Sequence, residues 1–187
     1  ALFKMFSFDK NHLAEAESLL VQAYDLHESS VFLAWRGLLQ MIKSIEFPQG
    51  NSAELRDMAE AMTRYASERS PSNSTVNALA SQTRAMLFGD AASALHFASL
   101  AVDDNPRNPF AIQAMAVAKM LAGEDEDSYQ LSARARAFAS KSAFRHWWDA
   151  HHATICVATD RKNEAIEAAE AALLSVSSLR PAYRYLI

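Results

Sequence analysis

An all-α array of stacked helical hairpins is the fold class that this sequence predicts, and three observations predict it. Small residues recur in register: Ala16, Ala59, Ala94, Ser128 and Ala165 align. Leu20, Thr63, Ala98, Ser132 and Ala169 follow four residues later, and Ala23, Ala66, Ala101, Ala135 and Ala172 three beyond those. After the first interval the period settles at about 34 to 37 residues, the range of helical repeat arrays. Helix breakers are few, with four glycines and five prolines in 187 residues, while half the residues are apolar and alanine-rich stretches abound. Helix is therefore favoured nearly throughout, with essentially no sheet. Finally, apolar residues recur at i, i+3, i+4 and i+7 in paired stretches separated by short breakers, as antiparallel helix pairs require.

Each element has its own local signals. Asp9 is placed to cap a first helix running to about His27. Helix A of the next pair, about Val31 to Ile45, carries Trp35, Leu38, Leu39 and Ile42 on one face. It stops at Phe47-Pro48-Gln49-Gly50-Asn51, where Ser52 can cap helix B. Gly89-Asp90 hinges the third pair, Asn105-Pro106 closes it, and Gly123 hinges the fourth. The acidic run Glu124 to Asp127 then opens a helix, where it complements the dipole, and it lacks the spaced ligands and glycine of a calcium loop. The hairpins are expected at 9–28, 31–70, 74–104, 109–140 and 143–177, with a capping helix at 180–187, all in one domain over 1–187. A start without methionine and an end inside what reads as a new helix predict a piece of a longer protein.

The formal charge is −4, and the eighteen basic residues are interspersed with acidic ones. That pattern offers no footprint for a phosphate backbone, so direct nucleic-acid binding is not expected. One cysteine, Cys156, cannot pair internally, which fits a reducing compartment and makes the cytoplasm the expected location. No apolar run approaches the roughly 20 residues that span a bilayer, and no secretory signal opens the chain, so no membrane partner is expected.

The pattern resembles the tetratricopeptide repeat. Such repeats place a bulky residue early in helix A (Trp35, Val76, Ile112, Trp147) and a large apolar one three further on (Leu38, Leu79, Met115), with Ala150 departing. A small residue comes next, met by Ala80 and Ala116 but not by Leu39 or His151. Glycine-acidic turns follow at Gly89-Asp90 and Gly123-Glu124, and the small-residue columns complete the match. The resemblance implies a right-handed α-α superhelix. The run Asn105 to Pro109, the Trp147-Trp148 helix and Arg180 to Leu186 are similar, more narrowly, to repeats that lie C-terminal to winged-helix or nucleotide cyclase domains in bacterial regulators.

That resemblance implies a protein- or peptide-binding or sensor module of a bacterial cytoplasmic signalling or transcription regulator. It also implies ligand contacts on the concave face one, five and eight positions after the bulky residue. These are Arg36, Gln40 and Lys43; Asn77, Ser81 and Arg84; Gln113, Val117 and Met120; and Trp148, His152 and Ile155. The basic, amide and aromatic members of that set suit a peptide with acidic or backbone groups and an apolar anchor. Self-association into a homodimer through apolar ends is the first alternative.

The second alternative is metal or small-molecule binding by the helix from His146 to Cys156, where Asp149, His152 and Cys156 share a face at i, i+3 and i+7. No other segment supplies an evident fourth ligand. The pattern matches no His-Glu-x-x-His or paired-cysteine motif, so no metal ligand or cofactor is assigned. No phosphate loop, nucleophile elbow or evident carboxylate pair occurs, so no catalytic residue is assigned and an enzyme is not expected.

Overall fold

The computed structural model describes residues 1–48, 50–177 and 179–186. Its elements are all helical: α1 (Leu2–Met5), α2 (Lys10–Leu26), α3 (Ser30–Glu46), α4 (Ser52–Arg69), α5 (Ser74–Phe88), α6 (Ala91–Asp104), α7 (Pro109–Leu121), α8 (Asp125–Phe138), α9 (Arg145–Ala158), α10 (Lys162–Ser175) and α11 (Arg180–Tyr183). Among the described residues there is no strand, and no helix is long and apolar enough to cross a membrane.

Short polar side chains set the helix starts. Asp9 accepts from the amides of Asn11 and His12, Ser29 from Val31, Asn73 from Val76, Asp90 from Ser93 and Asn108 from Phe110. Each satisfies an amide that the first helical turn leaves without a carbonyl. Gly89 (φ 61°) ends α5 in the left-handed region, where a Cβ would be strained. Gly123 (φ 77°) turns α7 into α8, and Lys119 then bonds both Glu124 and Asp127 across that turn. Two local expectations are corrected. Ser52 is the first residue of α4 and Asn51 stands at its cap without a side-chain bond. The terminal helix spans only four residues, and the expected continuation through Leu186 is a turn, with Ile187 outside the described residues.

The hairpins are α3–α4, α5–α6, α7–α8 and α9–α10. Helices α3, α5, α7 and α9 pack on one another in chain order as an inner layer, and α2, α4, α6 and α8 each pack against the next inner helix. The expected small-residue columns lie at these contacts: Ala59, Ala94, Ala98, Ala101, Ser128, Ser132, Ala135 and Ala169 are wholly buried. Small side chains let helix axes approach until hydroxyls reach the facing backbone. Ser81 thus donates to Ala94 O at 2.8 Å, Ser128 to Ala116 O at 2.7 Å and Ser74 to Ala101 O at 2.7 Å.

Approach is closest between α3 and α4. A Cβ on Gly37 would stand 2.6 Å from Thr63 Cγ2 and 3.1 Å from Ala59 O. Thr63 cannot turn aside freely, because its hydroxyl donates to Ala59 O at 2.9 Å. Gly37→Ala is therefore expected to lower stability by about 1–3 kcal/mol through overpacking, although alanine is the better helix former. Urea unfolding checks this, and Thr63→Ser, which removes Cγ2, should recover most of the loss in the double variant. A Gly37→Ala chain at least as stable as the parent would contradict the close approach.

Candidate functional site

The inner layer encloses a groove, and the chain's own two ends enter it. From the N-terminal side comes Phe6, wholly buried at the end of α1. Its ring meets Trp147 at 4.9 Å, Phe144 at 5.0 Å, Trp35 edge-on at 6.0 Å and Phe110 at 6.3 Å. Phe110 joins the cluster to Trp35 (5.1 Å) and Trp148 (5.0 Å). The Phe6 carbonyl accepts from His146 Nε2, which fixes the proton-bearing nitrogen of that imidazole. Phe8 follows at φ 53°, an unfavourable backbone angle for a bulky residue, and stacks on Trp147 at 6.0 Å.

From the other end, Leu179 and Ala182 are wholly buried, and α11 reaches the last turn of α3. Arg184 Nη2 meets Glu46 Oε2 at 2.8 Å, Arg180 Nη1 donates to Glu46 O at 3.0 Å, and the Arg180 guanidinium lies over Phe47. Between the two ends a recess opens to solvent, walled mainly by Phe8, Met41, Ile42, Met86, Trp147 and Tyr185. Burial pushes the Glu46 carboxyl above its ordinary range, opposed by the charges of Arg184 and Arg180.

The histidines are spoken for. His151 Nδ1 bonds Trp147 O at 2.9 Å, leaving Nε2 to accept from Gln82 at 2.9 Å. His152 Nδ1 lies 2.7 Å from Ser132 Oγ, and its Nε2 lies 3.5 Å from Cys156 Sγ. Desolvation lowers both imidazoles to about 4 and raises the Cys156 thiol to about 11, so none is charged near neutrality. A buried neutral thiol beside a neutral imidazole is a poor nucleophile. Asp149, 1 % exposed, is committed to Arg136 and, at 3.4 Å, to Arg145. His152 and Cys156 do share a face, but no grouping of three or more His, Cys, Asp or Glu suited to a metal occurs among the described residues.

The expected contact residues do not form one open concave surface, and their placement is corrected. Arg36 lies over the Tyr24 ring of α2, and Gln40 and Lys43 both bond Glu17 of that helix, at 2.8 and 2.9 Å. Asn77 accepts from Ser67 (2.6 Å) and donates to Pro71 O (2.7 Å), Ser81 is tied to α6, and Arg84 pairs with Glu60 of α4 at 2.6 Å. His152 bonds α8, Val117 and Ile155 are buried, and Met120 is half-buried against the same core. Trp148 is buried against Phe110 and Phe144, with its indole nitrogen unpartnered among the described residues.

Besides Trp148, Gln113 borders the ring cluster, beside Phe110 and Trp147. It is buried, and neither amide atom has a partner among the described residues. The groove wall proper is Met41, Ile42 and Ile45 on α3, Met86 on α5, and Trp147, Ala150, His151 and Thr154 on α9. One residue on a helix is about 100° of rotation, enough to turn an expected groove position into a seam with the preceding outer helix. The groove's aromatic occupants, Phe6 and Phe8, were not anticipated; the only sequence signal was an aromatic pair ahead of the first capped helix.

Compared with protein-family models and with curated proteins, the chain matches none.

The neutral imidazoles set a pH dependence. His151 and His152 protonate in the native state only at about 4, whereas in the unfolded chain they do so near the ordinary value of 6.5. The unfolded state therefore binds more protons as pH falls below about 6.5, and stability falls with pH by at most about 1.4 kcal/mol per unit for each imidazole. Between pH 6.5 and 5, above the ordinary carboxylate range, urea midpoints are expected to fall steadily. His152→Gln should have a shallower slope. Equal slopes in parent and variant would show that His152 is charged in the fold.

Proposed function

We propose that this chain is a binding module whose inner groove holds an aromatic-bearing segment of a protein or peptide partner. By its resemblance to tetratricopeptide regions of bacterial regulators, it would be the interaction or sensor part of a cytoplasmic signalling or transcription regulator. It would act by binding and not by chemistry, since the Cys156 thiol and the His151 and His152 imidazoles of α9 are held in unreactive neutral forms. The seat of Phe6 carries this reading: four aromatic rings from α3, α7, α9 and the turn before α9 surround one phenyl ring, as a partner's anchor side chain would be held. A segment that displaced Phe6 would recreate the same ring contacts and free α1, biasing the array toward whichever curvature the newcomer fits.

Exchange of the same segment between two copies is the second reading. The φ of 53° at Phe8 favours it, because a short strained hinge is relieved when the segment seats in a neighbour's groove. A light-scattering mass equal to one chain at high concentration would dismiss it.

A peptide of residues 1–9 tests the groove. Phe6→Ala should cost about 3–5 kcal/mol, and the milder Phe6→Leu serves if that variant does not fold. The peptide is expected to raise the melting temperature of the variant and to leave the parent unchanged, because only the variant's groove is vacant. A folded variant indifferent to the peptide would contradict the proposal.

A further inference from the structure

The recess beside α11 has a chemistry distinct from the Phe6 seat. It is a shallow recess with a cavity volume of about 60 Å³, open to solvent, and its walls are mostly apolar. One acidic side chain, Glu46, is set in them and is only 7 % exposed. Among the described residues its carboxylate has a single hydrogen-bonding partner, Arg184, whose side chain is 53 % exposed and lies beyond a four-residue helix. The other polar groups of the wall are occupied. Thr154 and Tyr185 bond each other at 2.6 Å, and His151 is held between Trp147 O and Gln82. Arg180 directs its guanidinium to the Glu46 backbone carbonyl and the Phe47 ring.

A buried carboxylate requires a cation, and this one is supplied by a side chain half in water. Trp147, Phe8 and Tyr185 line the same recess, and aromatic rings attract positive charge at their faces. We propose that the recess is a site for a small organic cation, an ammonium or guanidinium on an apolar body, whose charge replaces Arg184 at the Glu46 carboxylate. The apolar body lies against Trp147, Met41 and Met86. Such a ligand displaces the Arg184 guanidinium and removes one of the two arginine ties to the end of α3, so its binding is read out at the C-terminal end of the array. An anion is disfavoured, because taking Arg184 for itself would strip the buried Glu46 carboxylate of its only hydrogen-bonded cation among the described residues. This site goes beyond the proposed groove function, although it shares the Trp147 and Phe8 rings with the Phe6 segment.

Calorimetric titration of the full chain with phenethylammonium, 3-phenylpropanoate and 3-phenylpropanol tests the assignment. Phenethylammonium is expected to bind and the other two are not. Arg184→Ala, which removes the internal competitor, should tighten the cation several-fold, and Glu46→Gln should weaken it by at least about tenfold. The direction of the Arg184→Ala effect decides even if Glu46→Gln fails to fold. Loss of binding in Arg184→Ala, preference for the anion, equal affinity in Glu46→Gln, or no binding of the cation to either the parent or Arg184→Ala would each overturn the proposal.

Discussion

The seating of Phe6 is the contact on which the groove depends. Its ring touches α3 near one end of the array and α9 near the other, and its carbonyl takes the His146 proton, 140 residues away. Burying a phenyl side chain is worth about 1.5–3 kcal/mol, and each well-set aromatic pair adds about 0.5–1.5 kcal/mol. No single hairpin interface in a nearest-neighbour stack spans that distance. Phe6 thereby ties three of the hairpins together from inside the groove, while Arg184 and Glu46 make a second tie between the C-terminal segment and α3.

Polar chemistry follows from the same close packing. Where small residues bring helices together, serine hydroxyls bond the facing carbonyls, and the imidazoles of α9 are drawn out of water. Each then finds neutral partners such as Ser132, Gln82 or a backbone carbonyl, so these imidazoles are hydrogen-bonded without carrying charge. The buried acidic side chains of Asp149 and Glu46 are both met by arginines. Asp149 has two, which fixes it as an internal strut, whereas Glu46 has one and faces a recess.

Much of the fold was legible in the sequence, for identifiable reasons. Ala94, Ala98 and Ala101 recur because helices must approach there, and Asp9, Gly89 and Gly123 mark ends because they satisfy amides or adopt positive φ. The functional face was far less legible. Column periodicity reports how close helices come, not their rotation about their axes, so Gln40, Asn77 and His152 fall in seams with outer helices while Met41, Gln82 and His151 face inward. Nor can local pattern reveal that Phe6 meets Trp147, because nothing between them encodes the curvature that brings them together.

The most direct measurement is a nuclear Overhauser spectrum resolving the Phe6 ring protons. Cross-peaks from that one ring to the indoles of both Trp35 and Trp147 are the predicted result, since the centroids lie 6.0 and 4.9 Å away. A Phe6 ring with random-coil shifts and no contact to either tryptophan would contradict the account.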